Sequence, residues 1–266
     1  LLRFSERSAF YLFFFENRRP GAKNQKTSIR WPCGMTGAAP LHIAGERLML
    51  DPSGAIYWPA RNMLILADLH LEKGSAAAGR GRLLPPYDSR ATLDRIALLL
   101  RHYAPSQVLA LGDSFHDSGG AARLPPADRA RLAMMAQSIG FIWILGNHDP
   151  ALPDSLPGAV AAEWSDGPLF FRHEAQPGAP AGTEICGHHH PKASVPVRGA
   201  TVTRPCFVTD GHRRLMLPAF GAYTGGLDIG DAAISGLFPR GARIFLLGRD
   251  RLYHFHIGRA RAGLAA

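Results

Sequence analysis

Three short, uninterrupted apolar runs constrain this chain more than any other feature: residues 62–67, 108–111 and 141–145. A continuous apolar run of strand length fits a β-strand buried on both faces. Between the first two runs, Leu93, Ile96, Ala97 and Leu100 fall at i, i+3, i+4, i+7, which predicts a helix over about 88–103 that Pro105 closes. Leu132, Met135, Ala136 and Ile139 repeat that spacing between the Pro125–Pro126 start and Gly140. Strand, helix, strand, helix, strand implies a parallel sheet with crossover helices. Ligands of such sheets bind at the C-terminal edge, and each run here ends in polar residues. Beyond residue 165 the helical spacing fades, and short β-like runs at 169–172, 201–203, 206–209, 215–217 and 243–247 imply a second sheet packed on the first. The stretch 176–182 (QPGAPAG) reads as a mobile loop.

Composition limits the function classes. With 266 residues and 46% apolar content, the chain can fill one large core. No apolar run approaches the roughly 20 residues that span a bilayer, so no membrane association is expected. Cys33, Cys186 and Cys206 form no CxxC pair and are odd in number, which suits a reducing cytoplasm better than a disulfide framework. The net charge of +9 invites a nucleic-acid reading. Residues 1–34, however, hold seven Lys/Arg against two Asp/Glu, so +5 of it lies there and +4 in 35–266. That first segment lacks a clean period and precedes Met35. It is expected to be a disordered or mis-assigned extension, with Met35 as the true start and 35–266 as one domain. Its apolar stretch near Phe10 to Phe15 is too short for a convincing signal peptide.

Five polar clusters carry the chemistry: Asp68-Leu69-His70, Gly112-Asp113 with His116-Asp117, Gly146-Asn147-His148-Asp149, His173, and Gly187-His188-His189-His190. Singly, each has a plain reading as an Asx-turn, a glycine turn, a core histidine or a solvated histidine run. Jointly they read differently. Independent turns have no reason to place Asp, His and Asn after successive buried strands, where side chains distant in sequence converge with donors that divalent metals accept.

The ordered set D-x-H, G-D, G-N-H-D, H and G-H-x-H over about residues 62–190 resembles the calcineurin-like metallophosphoesterase superfamily. The resemblance implies an α/β fold: a β-sandwich of two mixed sheets flanked by helices, with two metals at the strand ends. By that resemblance Asp68, His70 and His190 are ligands of one metal, Asn147, His173 and His188 of the other, and Asp113 bridges them. Two cations held this way can activate a shared water, so that a metal-bridging hydroxide attacks phosphorus in line. His148 is placed to stabilise the transition state or protonate the leaving oxygen, with Asp149 orienting its ring. His189, between two ligands in a segment read as extended, is expected to face away. Many superfamily phosphatases carry Asp-Arg-Gly after Gly-Asp, whereas this chain reads Ser114-Phe115-His116-Asp117. That departure puts an arginine clamp in doubt and leaves His116 either against substrate phosphate or behind the ligands.

Longer segments, 67–74, 84–92, 111–117 and 215–226, resemble the ligase-associated DNA damage response endonucleases of PdeM type. This implies manganese-dependent phosphodiester hydrolysis of DNA, single-stranded by preference, beside a ligase and a helicase in repair; zinc or iron could replace manganese. Lys73, Arg80, Arg82, Arg204, Arg213 and Arg214 lie in segments that could border such a site. Tyr223 could meet a base or phosphate, or belong to a structural turn with Gly225-Gly226. A small-molecule phosphodiesterase or nucleotide phosphatase, and a non-catalytic repair scaffold with structural metals, remain as alternatives.

Overall fold

The computed structural model describes residues 37–176 and 182–258, all within the compact unit Met35–Ala266. The expected extension at 1–34 and most of the loop at 176–182 lie outside the described residues. Strands β1 (Ala39–Ile43), β2 (Glu46–Leu50), β3 (Ile56–Trp58) and β4 (Met63–Ala67) come first, then helices α1 (Lys73–Gly79) and α2 (Asp88–Tyr103). Next are β5 (Gln107–Leu111), α3 (Gly120–Arg123), α4 (Pro126–Ser138), β6 (Gly140–Ile144) and β7 (Ala159–Ala161). The remainder is almost all strand: β8 (Glu163–Asp166), β9 (Leu169–Arg172), β10 (Thr183–Cys186), β11 (Lys192–Val197), β12 (Ala200–Thr209) and β13 (Arg214–Met216). A short α5 (Ala232–Ser235), β14 (Ala242–Leu247) and β15 (Leu252–Ile257) follow.

The three apolar runs form adjacent parallel strands β4, β5 and β6, in register Ile65–Leu109–Ile142. Their seven-stranded sheet runs in sequence order from β1 to β7, with β1 to β4 joined antiparallel. The second sheet has order β15-β14-β12-β13-β10-β9-β8, and β11 pairs with β12. Residues of both sheets, including Leu48, Ile65, Leu109, Phe171, Ile185, Phe207 and Phe245, make one buried cluster, so the main core lies between the sheets. On the other face of the first sheet, Leu64, Leu66, Val108 and Phe141 pack against Leu93 and Ile96 of α2 and Leu132 and Met135 of α4. The second sheet's outer face is covered by Ile234 and Phe238.

The expected two-sheet sandwich with flanking helices is observed, with added strands. The β1–β3 meander precedes the first predicted strand, and Ala44 and Gly45, both left-handed, turn β1 into β2. The runs at 201–203 and 206–209 are one strand. Residues 200–205 of β12 pair with β11, and 206–209 pair with β13 and β14. Among the described residues no helix is long and apolar enough to cross a membrane.

Candidate metal centre

The ends of β4, β5, β6, β9 and β10 point at one place, and the loops there are stitched by backbone bonds. His70 N donates to Asp113 O (2.9 Å), Leu71 N to Ser114 O (3.0 Å), and Gly187 N to His173 O (2.9 Å). From the far side, Phe220 N donates to Ala67 O and Gly221 N to Asp68 O, which fixes the exit of β4. Asp68, His70, Asp113, His188 and His190 all have positive φ, between 43° and 71°. Non-glycine residues rarely take that conformation, and where they do the surrounding structure must hold them. The same φ values correct the expectation of an extended 188–190 segment: it is a bend, in which His189 N donates to Gly187 O.

All seven predicted ligands are brought together. Nε2 of His173 lies 2.9 Å from Asn147 Oδ1, 3.1 Å from His188 Nδ1 and 3.3 Å from Asp113 Oδ2. That same Asp113 oxygen is 3.7 Å from His70 Nε2, which in turn is 3.1 Å from His190 Nε2; His190 Nε2 is 3.4 Å from Asp68 Oδ1. Two donor sets therefore share one carboxylate. An imidazole nitrogen carries at most one proton, so the protons available cannot satisfy the lone pairs crowded about His173 Nε2. Divalent cations fit this Asp, Asn and His donor set. Asp68-His70-His190 and Asp113-His173-His188 are among the clusters of described residues able to hold an ion, and His189 is in none of them.

The electrostatics of His70, His188 and Asp113 agree with ligand use. Burial, then the neighbouring His190, pushes the His70 imidazole down to about 2, which keeps it neutral. His188 is lowered by burial and by His173. Burial opposes ionisation of Asp113, yet the hydrogen bond and charge of His173, His148 N–H and His70 carry it down to about 2. For His173, burial is outweighed by Asp113 and Asp68, and its pKa is raised. Neutral imidazoles beside ionised carboxylates are the forms a metal takes up, so a cation meets His70 and His188 ready, whereas at His173 it takes the place of the proton that the two carboxylates favour.

His148 stands at the mouth of the site, half-exposed, with Nε2 4.0 Å from Asp113 Oδ2 and Nδ1 2.7 Å from the carbonyl of His116. The expectation that Asp149 orients this ring is corrected. Asp149 is buried, and its oxygens accept from Phe115 N and Gly146 N, both at 3.0 Å. It fastens the β5 and β6 loops to each other, and burial first, then Asp113, pushes it up to about 6.

The expected substrate contacts divide. Lys73 and Arg80 lie close enough to His116 to depress its pKa after burial. Arg82 is exposed on the loop beyond α1. Tyr223, left-handed at φ 60°, sits beside Tyr87 and Asp88, two residues after the backbone that grips Asp68. Arg213 and Arg214 are corrected: they lie at the start of β13, the end of the strand remote from the site, and Arg214 is buried against Glu184. Sequence reasoning missed Glu174, whose Oε1 is 3.6 Å from His188 Nε2. Its position next to His173 was the available signal.

The model of calcineurin-like phosphoesterases matches residues 62–215. The chain belongs to that family. It is accordingly a metallophosphoesterase, a hydrolase acting on phosphoric ester bonds. Among solved structures, Pseudomonas putida nuclease MPE is 30% identical, covering 82% of this chain and 100% of its own, with a TM-score of 0.64. The phosphoesterase Yfce from E. coli is 13% identical over 74% of this chain and 99% of its own, with a TM-score of 0.39. A search of the curated proteins returns no match.

Proposed function

We propose that this phosphoesterase is a phosphodiesterase and endonuclease that cleaves DNA, single-stranded by preference, in repair. The reading that a pair of cations serves the chemistry is carried by one observation: Asp113 Oδ2 faces both His173 Nε2 and His70 Nε2. Asp68, His70 and His190 would hold one ion, Asn147, His173 and His188 the other, and Asp113 both. When bound, two divalent ions, manganese in this proposal, polarise phosphoryl oxygens and supply Lewis-acid activation.

The chain's own groups do the rest. With Nδ1–H of His148 donated to the His116 carbonyl, Nε2 faces the cleft; in the imidazolium form, with a second proton on Nε2, the ring can pass that proton to the departing oxygen and be left neutral. Asp149 fixes the loop that carries His148. Lys73 and Arg80, with Arg82 and Tyr223 farther out on the rim, are placed for phosphates and bases flanking the scissile bond. The DNA substrate is supported by the likeness to a Pseudomonas putida nuclease and by the PdeM-type segments. Partnership with a ligase and a helicase follows from the latter alone. Buried Cys186 and Cys206, unpaired and with thiol pKa values raised by burial, suit the reducing cytoplasm proposed here.

Single-stranded DNA, bis-p-nitrophenyl phosphate and the corresponding monoester, each assayed with manganese, zinc, iron or magnesium, test the proposal. Cleavage of DNA and diester with manganese is expected. Preference for the monoester with DNA left intact would return the function to small phosphates. Asp113→Ala should lose at least about 100-fold in turnover, because both donor sets use this carboxylate. Full activity of the wild type in chelator would end the metal-dependent reading.

A further inference from the structure

Once the seven donors and His148 have roles, the ring of His116 is left over, and its surroundings are specific. His70 turns Nε2 toward His190 Nε2 at 3.1 Å and Asp113 Oδ2 at 3.7 Å. A nitrogen that gives its lone pair to a cation cannot also carry the proton, so the proton of neutral His70 sits on Nδ1. That Nδ1 is 3.4 Å from Nδ1 of His116, with the two rings at 62° and the His70 side chain buried. His70 N–H therefore donates, His116 Nδ1 accepts, and the proton of His116 resides on Nε2. The outer nitrogens of two other site imidazoles have different partners: Glu174 for His188 and the Leu111 carbonyl, at 3.4 Å, for His173. Such outer partners fix the ring and the tautomer of a metal-binding histidine.

His116 is itself held for this task. Its N–H donates to Leu71 O at 2.9 Å, its carbonyl accepts from His148, and its ring stacks on that of His148 at 5.3 Å and 26°. We infer that His116 is a positioning residue whose ring Nδ1 holds His70 in its ligand tautomer and orientation, and so sets the affinity of the ion held by Asp68, His70 and His190. The inference rests on the metal-centre reading above. His70, His116 and His148 also lie near enough to form a cation site of their own. That arrangement would need the His70 Nδ1 lone pair, which the proton occupies.

The test uses where each replacement places its acceptor. Asn at 116 sets Oδ1 near the imidazole Nδ1 position, Gln carries its polar end out toward Nε2, and Ala removes both. All three keep the backbone carbonyl that holds His148. Full-length protein stripped by chelation is titrated with Mn2+, followed by calorimetry and electron paramagnetic resonance. The wild type should bind two ions, and His116→Ala should weaken one of them by about 10–100-fold. His116→Asn should recover most of that loss and His116→Gln should not. Unchanged affinity for both ions in His116→Ala overturns the inference, as does rescue by Gln where Asn fails, which would place the acting nitrogen at Nε2 and not at the Nδ1 that faces His70. A third wild-type ion that disappears in His116→Ala also overturns it. Failure of the wild type to bind two ions would instead take down the metal-centre reading, and the inference with it.

Discussion

The imidazole of His148 has one nitrogen committed and one facing the cleft. Nδ1 is tied to the His116 carbonyl, while Nε2 stands 4.0 Å from Asp113 without belonging to either donor set that includes that carboxylate. Its removal should therefore affect the chemical step more than metal loading. His148→Ala is expected to lower kcat by about 10²- to 10⁴-fold, the usual worth of a positioned acid or base. Manganese stoichiometry should stay at the wild-type value, as read by calorimetry. Loss of an ion in this variant would move His148 into the ligand shell. At this scale Asp68, His70, Asp113 and Asn147 were legible as candidate ligands because each is a donor-bearing residue after a buried apolar run, whereas His173, His188 and His190 stood out only through the ordered pattern that the five clusters make together. The role of Asp149 was not legible. A carboxylate next to a histidine in sequence invites a pairing with that ring, yet here it turns inward to Phe115 N and Gly146 N. Left-handed Asp68, His70 and Asp113 were equally hidden, since backbone sign is set by the loops that cross above the sheet.

At the level of elements, the glycines in the polar clusters mark where one strand end approaches another. A Cβ on Gly112, whose φ is 74°, would lie 2.1 Å from His173 Nδ1, and one on Gly146 would lie 2.1 Å from Asp113 Oδ1. Neither neighbour can yield without moving a donor. Gly146→Ala should therefore bind manganese at least about tenfold more weakly, because the added Cβ would also lie 2.2 Å from Asp113 N and displace that residue. Titration of the stripped variant reads this directly; wild-type affinity would show that the β5 and β6 ends are less tightly coupled than their geometry implies. The elements that sequence located best are β4, β5 and β6, uninterrupted apolar runs buried on both faces, and α2, whose apolar residues recur at helical spacing. The meander β1–β3 also alternates, with Leu41 and Ile43 buried beside exposed His42. It was overlooked because five-residue strands on a sheet edge carry only two such repeats. Pro205 divided β12 into two apparent runs, although it sits where that strand changes partners from β11 to β13 and β14.

For the whole molecule, the sandwich delivers the site by bringing the exits of β4, β5 and β6 in one sheet against those of β9 and β10 in the other. The first sheet supplies Asp68, His70, Asp113 and Asn147; the second supplies His173, His188 and His190. Sequence could announce the first sheet through its helical crossovers, whereas the strand order of the second depends on pairings between residues far apart, such as Cys206 with Leu246, that no local pattern encodes. Because each donor set draws on both sheets, ions bound there should join them and add to the stability of the folded state. A ligand at about 100 times its Kd contributes roughly 2.7 kcal/mol. For a domain of this size that amounts to a rise in Tm of about 5–10 °C per ion. Thermal unfolding of chelator-stripped protein, repeated with excess Mn2+, is expected to show an increase of that order, and Asp113→Ala should lose most of it. Magnesium, which favours oxygen ligands and an octahedral shell, should give a smaller rise than manganese at equal concentration because four of the seven donors are imidazole nitrogens. Coincident melting curves with and without manganese would mean that the two sheets are not joined through the donors of Asp113, and the coupling argued here between fold and site would fail.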